Sequence, residues 1–486
     1  MKKLLAAALC GSMAASLALT GCSTAGTSGN ASGGSKADVT LLWYTEGDQP
    51  DDLQLVLDKL NPILKEKIGA TVDIRFVSNA DYDEKMTSVI NSGEAFDICF
   101  TCDWANSYAI NARKGAYLDL TPYLDGDNKA LKEAIDSRFW EGVTIDGKIY
   151  GVPANKELPY APVWAFTKEL VDKYSLDIDS VTDLASLEPL LKTIKENEPE
   201  IIPLPLRASD IPGIIDQYDI PAARELPAYV RYDDETRTVV NPFEQEDVLK
   251  NLHTIHDYFV KGYINQDAAT NKQKLKNRLI YCGWYCPGAE EIWGNQAGYE
   301  VVCRPRYENY YSTTSCIGSL QAVSANSKHP AEAVKFLELL NTDPEIKNLV
   351  TYGIEGTHYE KTSDTSIKLL EASSRYTTDY YTLGNELIMY TVDPQAHDLW
   401  DQYRAFNDAS KPSVLVGFSF NNENVKTEYA SVMNITAQYL PQLFTGSAAD
   451  VDQTVAEMNK KLYDAGLQKI IDDMQKQIDE WAANKK

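Results

Sequence analysis

The sequence predicts an α/β fold with a parallel sheet near its start. Three apolar segments carry that prediction: the run 39–44, the alternating Val72, Ile74 and Phe76, and the run 96–101. Amphipathic stretches separate them, and a strand–helix–strand–helix–strand order needs crossovers that leave the strands parallel.

The first run is unbroken by polar alternation, as expected of a strand covered on both faces. Leu53, Val56, Leu57, Leu60 and Leu64 then recur on one helical face. Asp51 or Asp52 is expected to cap that helix, Pro62 to disturb it and Gly69 to end it. A second helix is expected over 82–91. Ligands of such sheets bind beyond the carboxyl ends of the strands, which directs attention to 44–49 and 102–108. The middle of the chain carries Pro203, Pro205, Pro212, Pro221 and Pro227 among apolar residues and predicts few regular elements. Ala333, Val334, Leu337 and Leu340 form a helical stripe after Pro330. Val451, Val455, Met458 and Leu462 form another, and Ile470, Ile471, Met474, Ile478 and Trp481 resume it beyond Gly466. These stripes read as core seams.

The chain has 486 residues, 46 Lys+Arg against 71 Asp+Glu, and a net charge of −25. At ~100–200 residues per domain, that length predicts two or three domains. The acidic balance argues against nucleic acid, whose phosphates need a basic surface, and against anionic lipid headgroups. Membrane contact must therefore come from elsewhere. Lys2 and Lys3, the apolar segment 4–19 and Leu19-Thr20-Gly21-Cys22 resemble a bacterial lipoprotein signal, in which Cys22 is lipidated. Residues 1–21 read as the signal peptide. Residues 22–37, rich in Ser and Gly, read as a flexible tether. Two acyl chains would hold the body stably at a bilayer.

Six further cysteines remain: Cys99, Cys102, Cys282, Cys286, Cys303 and Cys316. Cys99 and Cys102 are expected as buried thiols. The pairs Cys282/Cys286 and Cys303/Cys316 permit disulfides without requiring them. His253 and His256 sit one helical turn apart with no third ligand at a recognised spacing, so a structural role is expected and no metal. GxSxG, HExxH, P-loop and GxGxxG motifs are absent from the sequence.

Several phrases resemble a known family. KGAYLDLTPYL (114–124), DGKIYGVP (146–153) and NSKHPAEAVKF (326–336) are similar to phrases of the extracellular solute-binding proteins of bacterial ABC importers, family 1, the sugar-type binders. YGIEGTHY (352–359) and YDAGLQK (463–469) resemble a LipO-like lipoprotein subgroup with a C-terminal domain of unknown function. The resemblance implies a type II periplasmic-binding-protein-like fold: two α/β lobes, a multi-strand hinge and a ligand cleft between them. By analogy, lobe one covers 38–155 with 316–350, and lobe two covers 156–315 with 351–486. The hinge would lie at 153–158 and 314–319. Such a protein makes no bonds and needs no cofactor. It works as a monomer at the extracytoplasmic face, here of a Gram-positive cell, and hands its ligand to permease subunits.

The composition of the cleft can be anticipated. The chain has 29 Tyr against 12 Phe, with 8 Trp. Sugars offer apolar faces to aromatic rings and hydroxyl edges to carboxylates and amides. Tyr44, Glu46 and Asp48 follow the first strand; Asp103, Trp104 and Tyr108 follow the third. Asn155 and Glu157 lie at the expected hinge, and Trp284 and Tyr285 in a turn-rich GWYCPG segment. Glu355 and Tyr359 flank glycines, and Phe418 and Asn421 follow Gly417. All are candidate ligand contacts, whereas Trp43 is assigned to the core. The alternatives are the same fold binding a peptide or other polar solute, an adhesin or sensor on that fold, and an exported glycoside hydrolase with two catalytic carboxylates.

Overall fold

The computed structural model describes residues 39–485. The signal segment, Cys22 and the tether lie outside the described residues. The expected opening is present: β1 (Val39–Glu46), α1 (Leu53–Ile68), β2 (Ala70–Val77), α2 (Tyr82–Ser92) and β3 (Ile98–Thr101). β1 lies between β2 and β3 and runs parallel to both. The sheet then becomes mixed. The strand Leu320–Val323 pairs antiparallel with β3, and Gly151–Pro153 pairs antiparallel with it in turn.

Two local expectations need correction. α1 continues through Pro62. Pro62 is on the solvent face, where water can satisfy the carbonyl that lost its partner, and neighbouring Asn61 exchanges hydrogen bonds with the Val72 backbone at 2.8 and 3.1 Å. Asp52 holds the N-cap position but makes no capping bond. Its carboxylate is drawn away by Arg375 at 2.7 Å and His358 at 3.3 Å. Gly69 ends the helix in the left-handed conformation, with φ of 69°.

A second sheet is built on Pro162–Thr167, flanked by antiparallel Ile280–Trp284 and Val301–Pro305. Each sheet organises its own hydrophobic core. Trp43, Phe100, Phe336 and Leu340 belong to the first; Trp164, Phe166, Phe243, Leu443, Met458 and Ile470 to the second. The chain passes from the first sheet to the second through 154–161 and returns through 312–319.

The segment after 350 does not divide as expected. Tyr376 and Leu383 pack in the first core. The Tyr376 hydroxyl donates to the Val350 carbonyl at 2.9 Å, and Lys347 donates to the Leu383 carbonyl at 2.8 Å. Only from about Leu415 onward does the chain feed the second core. There the helices Val451–Asp464 and Leu467–Asn484 carry the anticipated stripes, and the helix Lys426–Phe444, which the sequence reading did not anticipate, packs with them. His253 bonds Asp452 and His256 bonds the Gly446 carbonyl, both at 2.9 Å, so both tie the Glu246–Val260 helix to this C-terminal unit. All six described cysteines are free thiols. Among the described residues no helix is long and apolar enough to cross a membrane.

Candidate ligand cleft

A cavity of about 730 Å³ opens where the two cores face each other. Asp103 and Trp104 enter it from the loop after β3. Trp284, the last residue of its strand, enters from the second sheet. Both tryptophans are half exposed, at 51%. Rings this large are normally covered, so two of them left bare in one cavity are available for stacking. Trp104 is held by its indole N–H, which donates to the Gly318 carbonyl at 3.1 Å, and by Phe100, 5.6 Å away. Trp284 is held between Tyr160 at 5.5 Å and the Arg306 guanidinium at 5.7 Å.

The polar lining comes largely from the irregular segment 211–232. Asp216 forms a buried ion pair with Arg306 at 3.0 Å, the side chains being 6% and 2% exposed. Burial pushes the Asp216 carboxyl up, and the guanidinium draws it partly back. Asp219 accepts from the Ser413 hydroxyl, and burial pushes its carboxyl up to about 6. Asp103 is open to the cavity but deep in the cleft. The surrounding protein pushes its carboxyl up to about 7, against the pull of Lys156 and the Tyr160 hydroxyl. Arg224, Glu225, Tyr232, Glu308 and Thr314 add further hydrogen-bonding groups. Tyr232 is braced by Tyr310, stacked at 4.8 Å. Two aromatic platforms with carboxylates, hydroxyls and a guanidinium between them suit a ligand with apolar faces and many hydroxyl edges.

Of the residues anticipated from sequence, the cavity gathers Asp103, Trp104 and Trp284. Tyr44 is buried instead, with its ring on Phe96 and its hydroxyl donating to Glu94 at 3.2 Å. Tyr108 is fully buried and donates to the Val143 carbonyl at 2.7 Å. Glu46 is buried at the end of β1 with neither oxygen hydrogen-bonded, and Asp48 beside it is exposed. Asn155 donates to the Ala134 carbonyl at 3.1 Å, and Glu157 pairs with Lys156. Tyr285 lies edge-on to Phe406, and Glu355 pairs with Lys361. Tyr359 packs between Tyr352 and Tyr390. Phe418 and Asn421 line a separate groove with Arg113 and Trp481. None of these eleven lines the main cavity. Tyr160, Asp216, Glu225 and Tyr232 do, and sequence reasoning missed them. A long Pro-interrupted stretch without periodicity was the available signal, since loops of that length are commonly functional.

Comparison with known proteins agrees with this architecture. Residues 46–347 match the bacterial extracellular solute-binding protein family, and residues 414–483 match a domain of unknown function, DUF3502. The chain belongs to the bacterial extracellular solute-binding proteins, and its fold is the type II periplasmic-binding-protein-like α/β fold. A relative from Streptococcus pneumoniae, described as a carbohydrate ABC transporter substrate-binding protein, is 33% identical over 490 residues, covering 98% of this chain and 97% of the relative. Lipoprotein LipO of Bacillus subtilis is 22% identical, over 71% of this chain and 72% of that protein. Among solved structures, the N-glycan transport solute binding protein NgtS from Streptococcus pneumoniae is 32% identical. It covers 92% of this chain and 100% of that one, with a TM-score of 0.86. The same protein in complex with Man5GlcNAc has a TM-score of 0.76 at the same coverage.

Proposed function

We propose that this protein captures an oligosaccharide between its two cores and delivers it, chemically unchanged, to the permease subunits of an ABC importer. One observation carries the reading: each core contributes one bare tryptophan, Trp104 or Trp284, to a single cavity with carboxylates and hydroxyls. The carbohydrate description of the Streptococcus relative and the glycan complex of NgtS support it. The two cores act as lobes, with 154–161 and 312–319 as hinge segments, and ligand favours the closed arrangement by touching both tryptophans at once. The better superposition on NgtS without a named glycan, 0.86 against 0.76, is what an open form of this chain would give. Lipid on Cys22 holds a monomeric body at the extracytoplasmic face of the membrane, and the lipoprotein relative supports that anchor. Asp103, Trp104 and Trp284 contact the ligand, joined by Tyr160, Tyr232 and Glu225.

Calorimetry against neutral and acidic oligosaccharides tests the proposal. Binding is expected with sugars and not with peptides. Trp104→Ala and Trp284→Ala are each expected to weaken it about tenfold, ~1.4 kcal/mol, with little change in melting temperature. Reducing ends released from a bound oligosaccharide would instead make the protein a hydrolase.

A further inference from the structure

The cavity that holds both tryptophans is far more acidic than the chain around it. Asp103, Asp216, Asp219, Glu225 and Glu308 line it, and Arg224 alone among its described lining residues is cationic. The whole chain, with 46 Lys+Arg to 71 Asp+Glu, has a much milder excess. Stacking on tryptophan does not need this charge. The carboxylates therefore bear on which sugar is admitted rather than on whether a sugar is held.

The cations near the cavity are already engaged. Arg224 donates to the Ser209 carbonyl at 2.9 Å and pairs with Glu225 at 3.1 Å. Behind the lining, Arg306 is taken by Asp216 at 3.0 Å and by the Ile211 carbonyl at 2.7 Å. Lys411 is taken by Glu308 at 2.8 Å, and Lys156 by Glu157. Lys274 forms no ion pair among the described residues, but it is exposed and lines a neighbouring recess beyond Trp284.

Two carboxylates are left without a counter-charge: among the described residues neither Asp103 nor Asp219 forms an ion pair. Asp219 is buried and bonded by the Ser413 hydroxyl. Asp103 stands open to the cavity beside Trp104. Its help comes from the Tyr160 hydroxyl and the field of Lys156, and these leave its carboxyl up at about 7. A carboxylate in such poorly hydrated surroundings gains from an arriving cation and loses from an arriving anion. The bare indole faces act in the same sense, because a ring face attracts positive charge. A sugar hydroxyl can donate to Asp103, whereas a sugar carboxylate cannot and would meet no free cation inside the cavity. We infer that the cleft selects sugars by charge: an amino sugar first, a neutral sugar next and a uronic or sialic acid last, with Asp103 setting that order. The inference rests on the oligosaccharide reading and sharpens it.

A matched series of ligands tests it. The strongest neutral ligand on a glycan array is shortened to a di- or trisaccharide, so that its rings lie between the tryptophans. It is then made in three forms that differ only at C6 of one ring: hydroxyl, amine and carboxylate. By calorimetry at neutral pH the amine is expected to bind more tightly than the parent and the acid more weakly, with a spread of at least about thirtyfold between amine and acid. Asp103→Asn should shrink that spread at least about fivefold, whatever it does to the neutral parent, and added salt should shrink it in the wild type. The readout is a ratio within one protein, so a general loss of affinity does not mimic it. If the acid binds within twofold of the amine, or the spread survives Asp103→Asn, charge selection by Asp103 is refuted and oligosaccharide capture stands. If no glycan binds, both fall. If spermidine binds as tightly as the amino glycan, the cleft is a plain cation trap and the inference fails.

Discussion

Glu46 ends β1 fully buried, and neither carboxylate oxygen has a hydrogen-bond partner. Burial and the nearby Asp379 carboxylate push its carboxyl up from 4.5 to about 7. A carboxyl raised in the folded state binds its proton more tightly there than in the unfolded chain. Its contribution to stability therefore falls as pH climbs from about 4.5 towards 7, and the cost is complete above that. Glu46→Gln removes the charge, so it should melt higher than the parent at pH 8 by the equivalent of about 1–2 kcal/mol and match it at pH 4.5. At the Arg306–Asp216 pair, removing one charge is costly rather than stabilising. Arg306→Met leaves a buried carboxylate unpaired and should cost about 3–5 kcal/mol, while adding Asp216→Leu should restore most of that, as read by thermal denaturation. At this scale the sequence was informative only where a regular element points at the site. Asp103 and Trp104 were legible because they follow a recognisable strand. Tyr232 and Glu225 were not, because their positions depend on a proline-rich path that leaves no period to read. Tyr44 and Tyr108 were misleading, since a tyrosine near the end of a strand or at the start of the helix that follows can send its hydroxyl to a neighbouring acid or carbonyl within the core as readily as into a cleft.

Among the elements, the C-terminal helices were the plainest, since their apolar stripes recur every three or four residues and all face one core. What the stripes did not reveal is how closely the helices approach. Gly446, with φ of 75°, sits after the Lys426–Phe444 helix, where an added Cβ would stand 2.3 Å from the Ile255 carbonyl oxygen. Backbone cannot move aside cheaply. Gly446→Ala should therefore cost more than about 2 kcal/mol and lower the melting temperature without altering the cleft residues. The segment 351–392 was assigned to the wrong core for a related reason. Its short strands and turns carry no long stripe, and its place is fixed by particular bonds, such as Arg375 to Asp52 at 2.7 Å.

For the whole molecule, the proposed reading has the two cores close on ligand about the segments that connect them. Small-angle scattering should record a smaller radius of gyration when a bound oligosaccharide is added to the wild-type protein. Trp104→Ala should show little contraction at the same concentration, because the first lobe then has lost its platform. An unchanged radius with ligand demonstrably bound would mean that capture occurs without closure. The two-lobe architecture itself was legible through family resemblance, while the division of residues between the cores depended on long-range packing.

The contribution of 414–483 to the second core has a practical corollary. Leu415, Phe418, Val432, Leu443, Met458 and Ile470 share that core with Trp164 and Phe166. The C-terminal domain is thus no appendage to be trimmed for convenience. An expression product stopped near residue 410 would bare one whole side of the second sheet's packing and should be recovered as aggregate, whatever the state of the other lobe.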